Sequence, residues 1–249
     1  MTILSQKVTK VNKETFKVFL RFWGIGGTIY DNNSFSDRGD RMARTNNYLL
    51  QAAQAKQYFL TYDQEALIRK LQLPYDEDFL YPVLFSRRYR LSRKTGDLER
   101  EEKGFWRDAN TFEEVMTLLD LICDSREDRF VSGRFKNMAD FGRAFHQNLL
   151  EERDPNAELF QSRAEDFRKA CVALGGKPLP TGDIAYSIEV FDGLPLLVQL
   201  WFGDEEFPAS LRFLWDENAL MYLKYETMYY ARELLLERLK AEMEEANGS

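Results

Sequence analysis

One stretch near the C-terminus constrains the fold more than any other. Its apolar side chains recur at every second position over residues 184–190, which is the period of a half-buried strand. Asp192-Gly193 follows, a dipeptide typical of tight hairpin turns, and an apolar run continues over 196–202. A further short strand over 211–215 extends the hairpin. We therefore predict an antiparallel β-meander in the C-terminal third of the chain.

Helical periodicity surrounds this meander on both sides. Apolar residues recur at helical spacing over residues 45–58, 63–71, 111–122, 137–150, 156–174 and 216–245. Thr111 with Glu114 has the spacing of a capping box, and Gly175-Gly176 is typical of a helix end. The pattern predicts an α+β fold: a helical N-terminal part, small antiparallel strands over 79–91, and the β-meander covered by a long C-terminal helix.

Two alternatives are open for the N-terminal residues. Residues 24–41 have the composition of a loop and lead directly to Met42. The codons of residues 38–41 could contain a purine-rich ribosome-binding sequence, so that Met42 would be the natural start and residues 1–41 a translated leader. The alternative is a genuine N-terminal arm. In both cases we expect residues 42–249 to form a single α+β domain.

Charge and hydropathy exclude several classes of protein. The chain has 34 Lys and Arg against 41 Asp and Glu, a net charge of -7, which predicts no binding to nucleic acid. Lys17 and Arg21 interrupt the first apolar stretch, and no run approaches the length of a membrane span. We therefore expect a cytoplasmic protein with no membrane segment.

The reactive side chains are few. Two cysteines, Cys123 and Cys171, are too few for a four-cysteine iron–sulfur or zinc site, and we expect both to be reduced core thiols. The single histidine, His146, excludes a metal site rich in histidine. Classical Ser-His or Cys-His catalysis would have to use His146 alone, and the acidic residues are the more suggestive candidates.

Carboxylates cluster at the predicted strand ends. Asp183 precedes the first strand of the hairpin, Asp204 and Glu205 follow the second, and Glu226 lies in the last helix. If they meet at one end of the sheet, Asp183, Asp204 and Glu226 are candidate ligands of a hard cation such as Mg²⁺ or Ca²⁺. Asp204, Glu205 and Glu226 are then the candidate catalytic residues, one of them a general base.

A structural interpretation of the same carboxylates remains open. Aspartate beside glycine commonly shapes turns, and aspartate commonly caps helices, which would account for Asp183, Asp204 and Asp216. Glu226 would then be exposed, or paired with Arg212 or Lys224.

Aromatic residues crowd the C-terminal third. Trp201, Trp215, Tyr222 and Tyr225 are the candidates for a surface that binds a planar cofactor or a partner protein. The alternative is that an aromatic stripe at strand or helix spacing belongs to the core. The long last helix is also compatible with a homodimer.

A resemblance to a known family rests on segments of the same region. These are Thr-Gly-Asp-Ile-Ala-Tyr at 181–186, Gly-Asp-Glu-Glu-Phe-Pro at 203–208 and Tyr-Leu-Lys-Tyr-Glu-Thr at 222–227, and the second, with Glu226, is the most specific. Over about residues 48–239 the chain resembles a family of uncharacterised domains found mainly in anaerobic bacteria and archaea. Some relatives resemble fusions to iron–sulfur modules, which implies a link to anaerobic redox or corrinoid and one-carbon metabolism. This chain departs from them in having no cysteine cluster.

Two hypotheses about function, of different class, agree with these patterns. The first is an accessory protein that binds an undefined cofactor or a protein partner without turnover. The alternative is a carboxylate-based enzyme of undefined substrate, assisted by a divalent metal. Converging carboxylates in a cleft would favour the enzyme, and dispersed carboxylates beside an exposed apolar surface would favour the binding protein.

Overall fold

The computed structural model describes residues 38–141 and 154–245, with side chains from residue 47 onward. The leader hypothesis for residues 1–41, the predicted helix beyond residue 141 and His146 lie outside the described residues, apart from 38–41. The chain divides into two units, residues 1–43 and 44–249. The second unit contains every strand of the described residues.

Helices and short strands alternate along the chain. The six α-helices of the described residues are α1 (Arg38–Phe59), α2 (Gln64–Leu71), α3 (Phe112–Asp124), α4 (Asn156–Ser162), α5 (Ala164–Ala173) and α6 (Tyr225–Glu245). The strands are β1 (Phe79–Leu80), β2 (Val83–Leu84), β3 (Arg87–Ser92), β4 (Leu98–Glu102), β5 (Phe105–Asp108), β6 (Phe135–Asn137), β7 (Lys177–Pro178), β8 (Ile184–Phe191), β9 (Leu194–Trp201) and β10 (Ser210–Asp216).

The strands form two antiparallel sheets. The first has the order β1-β3-β4-β5, with β2 also paired to β3. The second has the order β6-β10-β9-β8-β7, and its centre is the predicted hairpin with Asp192-Gly193 at the turn. The Phe85 N–H donates to the Val190 carbonyl at 3.0 Å, which ties the two sheets together. The predicted α+β class and the β-meander are confirmed.

The core lies between the second sheet and the helices. Strands β8, β9 and β10 bury most of their apolar side chains, and Trp215 is fully buried. Helix α5 contacts β8, and α4 contacts β9 and β10. Helix α6 packs against α3 and α5, and its Arg232 guanidinium lies 4.9 Å from the centre of the Phe213 ring in β10. The long last helix therefore joins the two halves of the core.

Some predicted helix boundaries are wrong. The last helix begins at Tyr225 rather than at residue 216, because β10 continues to Asp216 and a 3₁₀ turn, Ala219–Met221, intervenes. The helix predicted from residue 137 is a strand and a 3₁₀ turn, Met138–Phe141, as far as residue 141. The helix predicted over 156–174 breaks at Arg163 into α4 and α5. These boundaries were missed because the helical spacing of apolar residues continues across each turn. The elements before and after the turn both direct apolar side chains to the same core.

The helices of the described part do not include one with the length and apolarity needed to cross a membrane.

Candidate functional site

The connection between β9 and β10 is fixed by one of the predicted carboxylates. The Asp204 Oδ1 atom accepts hydrogen bonds from the backbone N–H groups of Glu206 and Phe207, both at 2.8 Å. In return the Asp204 N–H donates to the Phe207 carbonyl at 2.8 Å. The bonds from Phe207 and Glu206 hold the pKa of the Asp204 carboxyl below its usual range. Asp204 is therefore a charged residue that shapes a turn.

Two further side chains hold the same connection from outside. The Asp183 carboxylate accepts from the Phe202 N–H at 2.7 Å, and the Gln161 side-chain oxygen accepts from the Gly203 N–H at 2.7 Å. A Cβ atom at Gly203 would lie 2.4 Å from the backbone nitrogen of Ala209, so only glycine allows this close approach. The backbone of this segment is thus constrained from the residue before β8 and from α4.

This constrained segment exposes large aromatic side chains. Trp201 is 43% exposed, Phe202 42% and Phe207 67%. Glu205 and Glu206, between them, are also exposed. We call residues 201–207 the aromatic loop. Apolar side chains gathered on one exposed segment are typical of binding surfaces, and here the backbone is already fixed in the free protein.

The remaining predicted carboxylates lie elsewhere. Asp216 is fully buried at the far end of β10, where it accepts from the N–H groups of Ser132, Gly133 and Asn218 at 2.8–3.1 Å. Glu226 is exposed in the first turn of α6. Because β10 is 7 residues long, Asp216 is about 20 Å along the strand from the aromatic loop. Successive turns of an antiparallel meander point to opposite ends of the sheet.

The structure does not gather the predicted metal ligands. Across residues 47–141 and 154–245, it contains no group of three or more His, Cys, Asp or Glu side chains placed to hold a metal ion. Asp183 and Asp204 both contact the aromatic loop, but their bonds are to backbone N–H groups. Glu205 is an exposed residue of that loop, whereas Glu226 lies in α6.

The predicted aromatic set is divided between the core and the surface. Trp215, Tyr222 and Tyr225 are buried, and burial raises the pKa of both tyrosines. Only Trp201 of the four is accessible. Sequence periodicity does not distinguish these cases, because buried and exposed aromatic residues occupy the same strand and helix patterns.

A cluster of charges that sequence reasoning missed joins α3 to α6. The Lys224 ammonium group donates to Asp120 at 2.6 Å and also to Asp124, and the Lys224 N–H donates to Asp120 at 2.8 Å. The Tyr62 hydroxyl donates to Asp124 at 2.7 Å. Burial would lower the pKa of Lys224, but the two carboxylates outweigh it and raise the pKa. The sequence signal for this cluster was the pair Asp120 and Asp124, which lie four residues apart and therefore on one face of an apolar helix.

A second missed cluster lies at the other end of α3. Glu114, almost fully buried, accepts from the Tyr89 hydroxyl at 2.8 Å, from Arg238 at 3.1 Å and from Arg100. Burial and the neighbouring Arg87 lower the pKa of Arg238 to about 9. Thr111 is the N-cap of α3: its hydroxyl accepts from the Glu114 N–H at 3.3 Å and donates to the Glu114 carboxylate at 3.1 Å, whereas a full capping box would use the Thr111 N–H. Both clusters connect elements distant in sequence, which is a structural role.

A shallow hollow of about 350 Å³ lies on the first sheet, away from the aromatic loop. Its carboxylates are engaged: Asp97 pairs with Lys56 at 2.8 Å, and Glu99 pairs with Arg90 at 2.6 Å. It is lined by Phe79, Ser92, Thr95, Asp97, Glu99, Asp108 and Asn110.

Comparison with known families identifies the domain. A family model described as "Domain of unknown function (DUF3786)" matches residues 63–238. The chain belongs to the DUF3786 family. The DUF3786 match extends from α2 into α6, so it includes the aromatic loop and both charged clusters. Comparison with curated proteins and with solved structures found no match to the chain.

Proposed function

We propose that this DUF3786 domain is a non-catalytic binding module whose aromatic loop docks on a partner protein. One observation carries the proposal: Trp201, Phe202 and Phe207 are exposed on a segment whose backbone is fixed by hydrogen bonds. Exposure of three large aromatic side chains is unfavourable in isolation, and a partner that covers them would recover the hydrophobic free energy. Binding would order little backbone, because the loop is already constrained.

A protein partner fits the loop better than a planar cofactor does. Small-molecule sites are concave and enclose most of their ligand. Of the four aromatic residues predicted to bind a cofactor, three are core residues, and Trp201 is exposed at the end of β9. Exposed aromatic side chains grouped on one segment are typical of protein–protein contacts. The proposal includes a cytoplasmic setting in anaerobic redox or corrinoid and one-carbon metabolism, the context implied by the relatives that resemble fusions to iron–sulfur modules.

Site-specific photo-crosslinking in cells of the native host tests the proposal. A benzophenone amino acid replaces Phe207, which is 67% exposed, and in a matched control it replaces Phe105, which is 65% exposed on β5. We expect the label at position 207 to crosslink a discrete protein, and we expect the label at position 105 not to crosslink that protein. Combining the label at 207 with Trp201→Ala should weaken the crosslink, because the flanking indole is part of the surface.

Two outcomes would overturn the proposal. The first is the absence of a protein crosslink at position 207, and the second is the same crosslinked products at both positions. A chromophore or a stoichiometric metal in protein purified without oxygen, lost on Trp201→Ala, would instead support cofactor binding.

A further inference from the structure

We infer that the partner segment received by the aromatic loop is basic as well as apolar. This inference rests on the proposed function and specifies its partner. Asp204, Glu205 and Glu206 are consecutive and lie between Phe202 and Phe207, so that carboxylates and aromatic rings occupy the same short segment. A partner that covered the rings with apolar groups alone would bury the Glu205 and Glu206 carboxylates without compensation, which is unfavourable.

Within the described part of the domain, the Glu205 and Glu206 carboxylates are not neutralised by an ion pair. Among the residues that the structure describes, no Lys or Arg forms an ion pair with Glu205 or Glu206. Arg168 approaches the loop region, where it donates to the Asp183 carbonyl at 3.1 Å. Its guanidinium is also engaged by Glu165 at 3.4 Å. The carboxylates of Glu205 and Glu206 are thus available to an external cation.

The mixture of rings and carboxylates favours arginine in the partner. A guanidinium group stacks on the face of an aromatic ring and binds a carboxylate through two parallel N–H donors. An ammonium group binds a carboxylate as a point charge and is more strongly hydrated. The same chain already shows such stacking, because the Arg90 guanidinium lies 4.7 Å from the centre of the Phe79 ring and pairs with Glu99. We therefore assign a partner segment with arginine flanked by apolar side chains.

Anionic partners fit this surface poorly. Exposed tryptophan and phenylalanine also occur on loops that insert into membranes, but those loops approach negatively charged headgroups. Three carboxylates on the aromatic loop would repel such headgroups, and they would repel the phosphates of nucleic acid in the same way. A basic protein segment is the occupant that both the rings and the charges favour.

Three synthetic peptides of equal length and equal apolar content test the inference. Their polar positions are arginine in the first, glutamate in the second and glutamine in the third. The readout is fluorine NMR of the fluorotryptophan-labelled protein, in which the Trp201 signal is assigned with Trp201→Phe. At low salt we expect the arginine peptide to shift the Trp201 signal and to bind about tenfold more tightly than the glutamine peptide.

Charge variants show whether the loop carboxylates cause this preference. In Glu205→Gln with Glu206→Gln, the affinity for the arginine peptide should fall about fivefold, and that for the glutamine peptide should not change. The matched control, Glu77→Gln with Glu127→Gln, removes the same charge from two exposed glutamates outside the loop and should change neither affinity.

Several results would overturn the inference. These are equal binding of the arginine and glutamine peptides, no shift of the Trp201 signal by the arginine peptide, or an equal effect of the control variant. A Trp201 shift caused by anionic or zwitterionic vesicles but not by peptide would assign the loop to membranes. A partner crosslinked at position 207 together with peptides that show no charge preference would leave the docking function standing and remove only its basic partner. Absence of both the crosslinked partner and the charge preference would overturn the docking function and the basic partner together.

Discussion

Two regions of the molecule place charged and aromatic side chains in opposite ways. One is the contact between α3 and α6, and the other is the aromatic loop. Between the helices, charged groups are buried: Glu114 and Arg238 are both less than a tenth exposed, and the Asp120 side chain is 4% exposed. On the loop, large aromatic groups lie in solvent, and Phe207 is 67% exposed. Globular proteins generally do the reverse in both places.

The difference separates what the fold requires from what it leaves available. The buried charges bond to several elements at once, so their removal should disturb folding. The exposed rings are held at a fixed position by Asp183 and Asp204, yet their own side chains contribute little burial. Substitutions in the two regions should therefore affect different measurements, stability in the first and binding in the second.

The largest effect on stability is expected for Glu114→Gln. This change removes the buried carboxylate that accepts from Arg238 and Arg100, which we expect to lower the free energy of unfolding by about 3–5 kcal/mol. Urea denaturation followed by circular dichroism measures the loss. Glu113→Gln removes the same charge from the adjacent, partly exposed residue of α3 and should be near neutral. Equal stability of the two variants would contradict a structural role for the Glu114 cluster.

A smaller loss is expected for Lys224→Met. The variant leaves the buried Asp120 carboxylate with fewer donors, and we expect about 2 kcal/mol of destabilisation. Lys169→Met, at an exposed position of α5, is the control and should change stability little. A Lys224→Met variant as stable as this control would show that the Asp120–Lys224 contact is dispensable.

The pH dependence of stability sharpens the Lys224 prediction. The folded state raises the pKa of Lys224 above its ordinary 10.5. The stability that charged Lys224 contributes is therefore fully present below pH 10.5. It is lost as the pH rises through the folded-state pKa, because the unfolded chain releases the proton first. Urea midpoints measured from neutral pH to about pH 11 should fall less steeply for Lys224→Met than for the wild type. Parallel curves would contradict the raised pKa.

In the aromatic loop, Gly203→Ala should have a moderate effect. The added methyl group would meet the Ala209 backbone, and we expect about 1–2 kcal/mol of destabilisation with a shift in the fluorine NMR signal of Trp201. Gly104→Ala, where φ is +83° but no atom lies within 4 Å, should cost stability without altering the Trp201 signal. The same Trp201 spectrum in both variants would contradict the close packing at Gly203.

The smallest change in stability is expected for Phe207→Ala. Its ring is mostly exposed, so the free energy of unfolding should stay within about 0.5 kcal/mol of the wild type. Binding measured by the peptide shift of Trp201 should nevertheless weaken. A marked loss of stability would show that the ring packs against the domain, and the comparison between the two regions would no longer hold.

Local patterns were sufficient to predict much of the fold. The alternation over 184–190 with Asp192-Gly193 predicted β8, β9 and their turn, and Thr111 with Glu114 predicted the start of α3. The boundaries of the last helix and the break at Arg163 were wrong, because tertiary contacts decide where a helix ends when apolar residues continue beyond it.

The candidate site was less accessible from sequence. The position of Asp204 beside Gly203 was consistent with a turn, and the structure places it in one. Its separation from Asp216 requires knowing that the two turns lie at opposite ends of β10. The Glu114–Arg238 contact spans 124 residues, and no local pattern indicates which distant arginine reaches a given glutamate.

That long separation bears on how the domain is made during translation. The carboxylates of α3 emerge from the ribosome well before Lys224, which directly precedes α6, and before Arg238 within α6. At about 5–20 residues per second, the 124 residues between Glu114 and Arg238 take of order ten seconds to synthesise. During that interval the acidic groups of α3 lack the cations that Arg238 and Lys224 supply in the folded domain. Stable docking of α3 must therefore wait for α6, and folding is completed only when the last helix has left the exit tunnel.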